Sequence, residues 1–307
     1  MSGPAAVVHS REYWCDIGPH VFPMAKFARL REALVAAGEI READILEPEA
    51  ASHELLQLVH TDAYLGDLEA LRVTPRTMES ELPLTAEIVR AYRLAAGGTL
   101  LAGREALRRG VGINLGGGFH HASADRAEGF CYVNDLAVAI RALQREGAIR
   151  RAAVVDLDVH QGNGTAAIFR GDPEVFTLSL HQENNYPVPK EPGDLDVGLP
   201  DGCDDDAYLA SLDAALPRVW EHAPQLLLYQ AGADPYFDDQ LGGLALTLAG
   251  LERRDRRVLE GAVERGIPAV ITLGGGYARR VEDTVEIHAQ TCRVGLERAR
   301  AAAGRAS

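Results

Sequence analysis

Five short apolar runs, rich in β-branched residues, are the feature that most constrains the fold of this chain. They cover residues 111–115, 153–157, 175–180, 226–229 and 269–273. None alternates cleanly between apolar and polar positions, which is typical of strands covered on both faces. Longer segments with helical apolar spacing lie between these runs. The pattern predicts an α/β fold, a single domain over 1–307 with an open parallel β-sheet flanked by helices on both faces.

Two helix starts and one charged loop can be predicted from local sequence. An apolar stripe of Phe27, Leu30 and Leu34 follows Pro23, and Thr85 is a predicted N-cap for a later helix. The stretch 201–206 (DGCDDD) is interpreted as a solvated turn that caps the next helix, in preference to a calcium site.

Charge and cysteine content restrict the partners and the compartment. The chain has 31 Lys plus Arg against 45 Asp plus Glu, a net charge of −14, so neither nucleic acid nor an anionic membrane is an expected partner. This acidity suits a cationic substrate and is also a common route to solubility. Four scattered cysteines without a CxxC pair favour a reducing compartment. With no signal peptide and no long apolar run, we expect a soluble cytoplasmic protein.

The first chemical cluster is 116–121 (GGGFHH), which directly follows a predicted strand. Three glycines allow a sharp turn and close approach of the backbone to a ligand. A nucleotide site is disfavoured, because no GK[ST] follows and the glycine spacing fails GxGxxG by one residue. A lone histidine is usually structural, and the tandem His120 and His121 make general acid–base work an equal alternative to that structural role.

The second and third clusters predict a metal site. Asp156, Asp158 and His160 occupy alternate positions at a strand end and point to one face. Two carboxylates and an imidazole in a buried place require a cation, although a strand end exposed to water is the alternative. Asp234, beyond another strand, is either a turn residue or a third ligand. Three protein ligands with an open position match catalytic zinc, and Fe(II) or Mn(II) would also accept these ligands.

The fourth cluster is 274–277 (GGGY), again after a predicted strand. A glycine loop that presents Tyr277 can aim a hydroxyl at a developing oxyanion, although a surface loop with a half-buried tyrosine is the alternative. Asn163, between two glycines, carries an amide that can orient a histidine. Together the clusters describe metal-assisted hydrolysis.

Six segments, taken in order, resemble the zinc-dependent histone deacetylases. They are LGGGFHHA (115–122), GFCYVND (129–135), DLDVHQGNGT (156–165), SLHQ (179–182), GAD (232–234) and GGGY (274–277). Segments 20–34, 59–65 and 229–247 are most similar to the class IV branch and its bacterial relatives. The resemblance implies the open parallel sheet that this family shares with the arginases.

The resemblance also implies a role for individual residues. Asp158, His160 and Asp234 would bind zinc. His121 would be the principal general base and then the acid to the leaving amine, with electrostatic help from His120. Asp156 would orient His120, and Asn163 would orient His121. Tyr277 would stabilise the oxyanion. The Gly129 carbonyl would accept a hydrogen bond from the substrate amide, and Phe130 and Tyr186 would form the walls of the substrate channel.

A structural potassium site is implied near the zinc. It would use Asp156, Ser179 and Leu180, together with the backbone carbonyls of Asp158 and His160. At two other positions the sequence departs from the class I deacetylases. Asn163 stands where class I members carry a second aspartate, which predicts a lower pKa for His121, and Tyr186 replaces the phenylalanine usual in class I.

The implied activity is hydrolysis of the amide of N-acyl-lysine, acetyl or longer fatty acyl, a C–N bond other than a peptide bond. Small acetylated amines such as polyamines are the alternative substrates. An acidic rim would suit polyamines, and an apolar slot would suit fatty chains. A dinuclear arginase-like hydrolase would need Asp238 and Asp239 as further ligands, and the histidine pair and GGGY argue against it. A non-catalytic acyl-lysine binder is disfavoured because every catalytic residue is present.

Overall fold

The computed structural model describes residues 5–305. The ends of the predicted domain, residues 1–4, 306 and 307, lie outside the described residues. Within this range the eight strands, in chain order β1 to β8, are Ala6–Val8, Ile45–Leu46, Val111–Asn114, Ala152–Asp156, Val175–Gln182, Leu195–Leu199, Leu226–Gln230 and Ala269–Thr272.

The α-helices of the described residues are numbered α1 to α9 in chain order. They cover Ala25–Ala36, His53–Leu56, Asp62–Glu69, Ala86–Arg109, Asp135–Arg145, Asn163–Phe169, Asp205–Glu221, Leu248–Glu264 and Val281–Arg305. Short 3-10 helices lie at Arg11–Tyr13, Glu42–Asp44 and Met78–Ser80.

All eight strands pair in parallel in one sheet, in the order β2-β1-β3-β8-β7-β4-β5-β6. This confirms the predicted open parallel sheet surrounded by helices. The five predicted strands are β3, β4, β5, β7 and β8, with ends that shift by no more than two residues. β1, β2 and β6 were not predicted from the sequence. The first two are three and two residues long, and β6 is only partly buried at the sheet edge.

Both faces of the sheet are buried, which explains why its strands lack alternation. Val155 of β4 packs into a core with α1, α7, α8 and α9, whereas its neighbour Val154 packs into a second core with α4 and α5. Because successive side chains of a strand point to opposite faces, both positions must be apolar. Each such buried side chain contributes about 1.5–3 kcal/mol.

The helix starts follow from capping side chains. The Oγ1 atom of Thr85 accepts a hydrogen bond from the Ile88 N–H at the start of α4, as predicted. In the acidic stretch 201–206, Asp204 caps α7 by accepting from the Ala207 N–H. The carboxylate of Asp205 accepts two hydrogen bonds from Thr247. These bonds support the interpretation of residues 201–206 as a turn.

None of the described helices is both long and apolar enough to cross a membrane.

Candidate metal and catalytic site

The strand order brings the four sequence clusters together. β3, β8, β7 and β4 are adjacent in the sheet, and each is followed at its carboxyl end by one cluster. Ligands of parallel α/β sheets bind at this edge. His121, Tyr277, Asp234 and Asp158, separated by up to 156 positions along the chain, thus meet at a single site.

The residues best suited to hold a metal are Asp158, His160 and Asp234, which we call the metal group. Their ligand atoms all lie within 4.8 Å of one another, and all three residues are buried. The Nδ1 atom of His160 lies 3.1 Å from Asp158 Oδ1 and 3.3 Å from Asp234 Oδ2. Burial, and then the negative charge of Asp158, raise the pKa of Asp234 to about 7. Buried Asp234 Oδ2 has no hydrogen-bond partner of good geometry. A divalent cation fits this donor set, because it would neutralise the crowded carboxylates.

Backbone N–H groups hold the outer oxygens of both carboxylates. Gly275 donates to Asp158 Oδ2 at 2.7 Å, and Val159 donates to Asp234 Oδ1 at 2.9 Å. A side chain at Gly275 would not fit, because its Cβ would lie 1.8 Å from Asp234 Oδ2. The glycine loop after β8 therefore serves to support the metal group, a reason for GGG that sequence reasoning did not anticipate.

The two histidines have different partners. Nδ1 of His120 lies 2.6 Å from Asp156 Oδ2, and Nδ1 of His121 lies 2.6 Å from Asn163 Oδ1. Asn163 is the first residue of α6. For His120, burial lowers the pKa, but the carboxylates of Asp156 and Asp158 outweigh burial and raise the pKa to about 9. Burial and the charges of the other histidines lower the pKa of His121 well below its ordinary range.

Tyr277 is buried beside the metal group, with its ring centroid 6.3 Å from that of His160. Its backbone N–H donates to Asp239 Oδ2 at 2.6 Å. Burial, and then the charge of Asp234, raise the pKa of the Tyr277 phenol, so its hydroxyl remains a hydrogen-bond donor at neutral pH.

The two further aspartates of the dinuclear alternative have other partners. Asp239 accepts the hydrogen bond from the Tyr277 backbone, and Asp238 pairs with Arg279. Among the residues that the structure describes, the only cluster of three possible metal ligands is Asp158, His160 and Asp234. This disfavours the dinuclear alternative.

A channel of about 190 Å³ leads to this site. It is lined by Glu81, His121, Gly129, Phe130, His160, Asn185, Tyr186, Leu241 and Tyr277. Gly129 has a φ of +51°, and a Cβ there would lie 2.5 Å from the His121 ring. Only glycine therefore lets the backbone pass this close to the histidine. The predicted substrate-binding residues Gly129, Phe130 and Tyr186 all line the channel, while their roles stay predictions.

The predicted potassium ligands lie on neighbouring strands. Asp156 of β4 pairs in register with Ser179 of β5, and Leu180 follows in the same strand. Ser179 Oγ also lies 2.9 Å from His181 Nδ1. The structure places these residues together, and potassium binding stays a prediction.

Two charged residues near the site were not predicted from the sequence. Lys26 of α1 is buried, donates a hydrogen bond to the Gly274 carbonyl, and has its pKa lowered to about 8 by burial, against the opposing charge of Asp234. A lysine inside the apolar stripe of α1 was the available signal. The second is Glu128, whose carboxylate accepts hydrogen bonds from two side chains of the site. Its position directly before Gly129 was the available signal.

Comparisons with known proteins agree with this architecture. Residues 20–292 match the family model described as "Histone deacetylase domain". Histone deacetylase 2 of Arabidopsis thaliana is 34% identical, with 87% of this chain and 73% of the relative covered. An uncharacterised protein of Picosynechococcus is 42% identical, with 92% and 95% covered. A solved HDAC homolog complexed with SAHA has 28% identity and a TM-score of 0.80, with 95% and 84% covered.

The acetylpolyamine aminohydrolase of Burkholderia pseudomallei also shares the fold. Its TM-score is 0.79 at 23% identity, with 96% of this chain and 98% of that chain covered. The parallel sheet with its buried Asp-His-Asp group is thus that of the arginase/deacetylase superfamily. Within it, the chain belongs to the histone deacetylase family. Membership supports a deacetylase, a hydrolase of amides, in a family that is generally metal-dependent.

Proposed function

We propose that this protein is a zinc-dependent deacylase that hydrolyses the amide of N-acyl-lysine. One observation carries the proposal: the buried Asp158, His160 and Asp234 lie in one site with the histidine pair and Tyr277. Three protein ligands of this kind leave a coordination position for water or substrate. Fe(II) or Mn(II) would suit the same ligands, so the metal itself is part of the test below.

When bound, the metal would polarise the substrate carbonyl and activate the attacking water. His121 is neutral at pH 7 because its pKa is lowered, so its Nε2 can accept a proton from that water and then donate it to the departing amine. His120, held by Asp156 and kept protonated by its raised pKa, stabilises negative charge nearby. The Tyr277 hydroxyl donates a hydrogen bond to the developing oxyanion.

The space on the inner side of the site favours an acetyl group over a long fatty chain. The channel of about 190 Å³ would hold the lysine side chain, and the inner pocket beside Lys26, His120 and Gly274 has a volume of only about 20 Å³. Similarity of segments 20–34, 59–65 and 229–247 to class IV deacetylases supports fatty acyl-lysine instead. A fatty chain would require this inner pocket to widen.

A small acetylated amine such as a polyamine is the second candidate substrate. Glu81 is one of the residues that line the channel, and the chain has a net charge of −14. Both would attract a cationic amine. The test is the effect of Glu81→Gln, which should raise KM for an acetylated polyamine more than KM for a neutral acetyl-lysine peptide.

The deciding experiment measures hydrolysis of matched acetyl-lysine and myristoyl-lysine peptides and of an acetylated polyamine. The protein is loaded in turn with zinc, Fe(II) and Mn(II), and Asp234→Ala serves as the metal-free control. We expect zinc-dependent hydrolysis with acetyl-lysine fastest. Faster polyamine hydrolysis would select the second candidate. Absence of hydrolysis of all three substrates, with one metal bound per chain, would contradict the deacylase and favour a non-catalytic acyl-lysine binder.

The proposal extends to the setting of the enzyme. We propose one catalytic domain over 1–307, a cytoplasmic location, and neither nucleic acid nor membrane as a direct partner. A structural potassium ion bound by Asp156, Ser179 and Leu180 completes the proposal, and exchange of potassium for sodium should lower thermal stability. An unchanged melting temperature would contradict the potassium site.

A further inference from the structure

We propose that Glu128 is a positioning residue that sets the orientation of the general base His121 through Asn163 and anchors the channel wall at Tyr186. This inference rests on the proposed deacylase function, because it gives Glu128 a part in that reaction. Neither the sequence clusters nor the family resemblance assigned a role to this residue.

A chain of two hydrogen bonds links Glu128 to His121. Nδ2 of Asn163 donates to Glu128 Oε1 at 2.7 Å, and Asn163 Oδ1 lies 2.6 Å from His121 Nδ1. A carboxylate only accepts hydrogen bonds, so the amide NH₂ of Asn163 must face Glu128 and its carbonyl oxygen must face His121. The Nδ1 atom of His121 is then the donor. Its Nε2 atom is left with the lone pair that a general base needs.

The same carboxylate oxygen of Glu128 also holds Tyr186. The Tyr186 hydroxyl donates to Glu128 Oε1 at 2.8 Å. Its ring lies edge-on to the His121 ring with centroids 5.1 Å apart. One oxygen atom therefore fixes both the base and the adjacent channel wall. Rotation of the Glu128 side chain would release both groups together.

The Glu128 backbone is held independently of its side chain. The Glu128 N–H donates to the Cys131 carbonyl at 3.0 Å, and the Gly129 N–H donates to the Glu79 carbonyl at 3.1 Å. The Glu128 side chain is 15% exposed, and its nearest cation, Arg126, is 3.8 Å away. Substitution of the Glu128 side chain should therefore leave the loop folded.

The charge in this chain of hydrogen bonds lies at its far end. Asn163 itself is neutral, and the carboxylate of Glu128 lies one hydrogen bond further from His121, beyond the Asn163 amide. The amide transmits orientation to the histidine, and its dipole is itself aligned by the carboxylate. Glu128 thus supplies the acceptor that ends the chain begun at His121.

The test compares two substitutions that differ in hydrogen bonding. Glu128→Gln keeps an Oε1 atom that accepts both bonds, so kcat should remain near that of the parent protein. Glu128→Ala removes the acceptor, and kcat should fall about 10- to 100-fold, as is typical when the partner of an orienting residue is lost. Asn163→Ala should reduce kcat similarly, and the double variant should lose less than the product of the two single losses, because both substitutions release His121. Glu79→Ala, which removes an exposed nearby carboxylate, is the matched control.

Nitrogen-15 NMR of the metal-loaded protein supplies a readout that does not require turnover. The His121 ring should show the Nδ1–H tautomer in the parent protein and in Glu128→Gln, and a mixture of tautomers in Glu128→Ala. An unchanged tautomer and kcat in Glu128→Ala, or equal losses in the Ala and Gln variants, would overturn the proposal. If the parent protein hydrolyses no amide, the deacylase function fails, and the NMR result still decides the role of Glu128.

Discussion

The imidazole rings of His120 and His121 lie with their centroids only 4.0 Å apart, yet the pKa of one is raised and the pKa of the other is lowered. For each ring, burial favours the neutral form. The carboxylates near His120 reverse this effect, whereas His121 faces a neutral amide and two other imidazoles. Neighbouring groups with pKa values driven apart are a basis for dividing catalytic roles.

The first prediction concerns the pH profile. Because the pKa of His121 lies well below 6.5, kcat/KM should persist as the pH falls through 6.5 and decline only in more acid solution. Asn163→Asp places a carboxylate beside His121 Nδ1 and should raise its pKa, so the decline should move to higher pH. The measurement is kcat/KM against pH for both proteins.

A control for this experiment removes the like charge beside the new aspartate. In the Asn163→Asp/Glu128→Gln protein the new carboxylate has no carboxylate neighbour, and the same shift of the acid limb should appear. Identical profiles in all three proteins would show that His121 is not the group whose protonation stops the reaction.

The second prediction concerns Tyr277. Removal of the hydroxyl in Tyr277→Phe should lower kcat by about two to three orders of magnitude, as is typical for loss of an oxyanion donor. The ring packs against Phe130 and Phe22, so the fold and the bound metal should be retained. Metal content and thermal unfolding provide the control. Full activity in this variant would remove Tyr277 from the mechanism.

The third prediction concerns the metal group. At a free metal concentration of about 100 times Kd, binding should add about 2.7 kcal/mol to the free energy of unfolding. Thermal unfolding with and without chelator should therefore differ for the parent protein. In Asp234→Ala the difference should vanish, because one of three ligands is missing. A parent protein whose melting temperature ignores both metal and chelator would contradict the site.

The fourth prediction concerns the buried pair Arg254 and Asp255, which the sequence analysis did not identify. Arg254 donates to the carbonyls of Leu157 and Gly232, next to the metal-site loops, and its Nε donates to Asp255 at 2.9 Å. Asp255→Asn leaves a buried guanidinium without its counter-charge. The free energy of unfolding should fall by on the order of 3–5 kcal/mol, as measured by urea titration.

The matched control for that measurement is the exposed pair of Arg257 and Asp213, 2.7 Å apart. Asp213→Asn should cost only about 0.2–1 kcal/mol, because solvent screens the pair. Metal affinity should also fall in Asp255→Asn and not in Asp213→Asn. Equal effects of the two substitutions would mean that the buried pair has no special role in supporting the metal-site loops.

Much of the fold could be predicted because its strong signals are local. A buried parallel strand must be apolar on both faces, so β3, β4, β5, β7 and β8 are visible as continuous runs. β1 and β2 are too short to show a pattern, and β6 is partly exposed. Their pairing depends on neighbouring strands already in place, which is a non-local effect.

For the candidate site, the sequence by itself determined which side chains are available and that each follows a strand. Asp158, His160, Asp234 and Tyr277 were identifiable for that reason. Only the tertiary structure decided that β3, β8, β7 and β4 are neighbours, and that Glu128 completes the support of His121. The physical reason is that strand order and side-chain hydrogen bonds between distant segments depend on packing of the whole sheet, which no local spacing encodes.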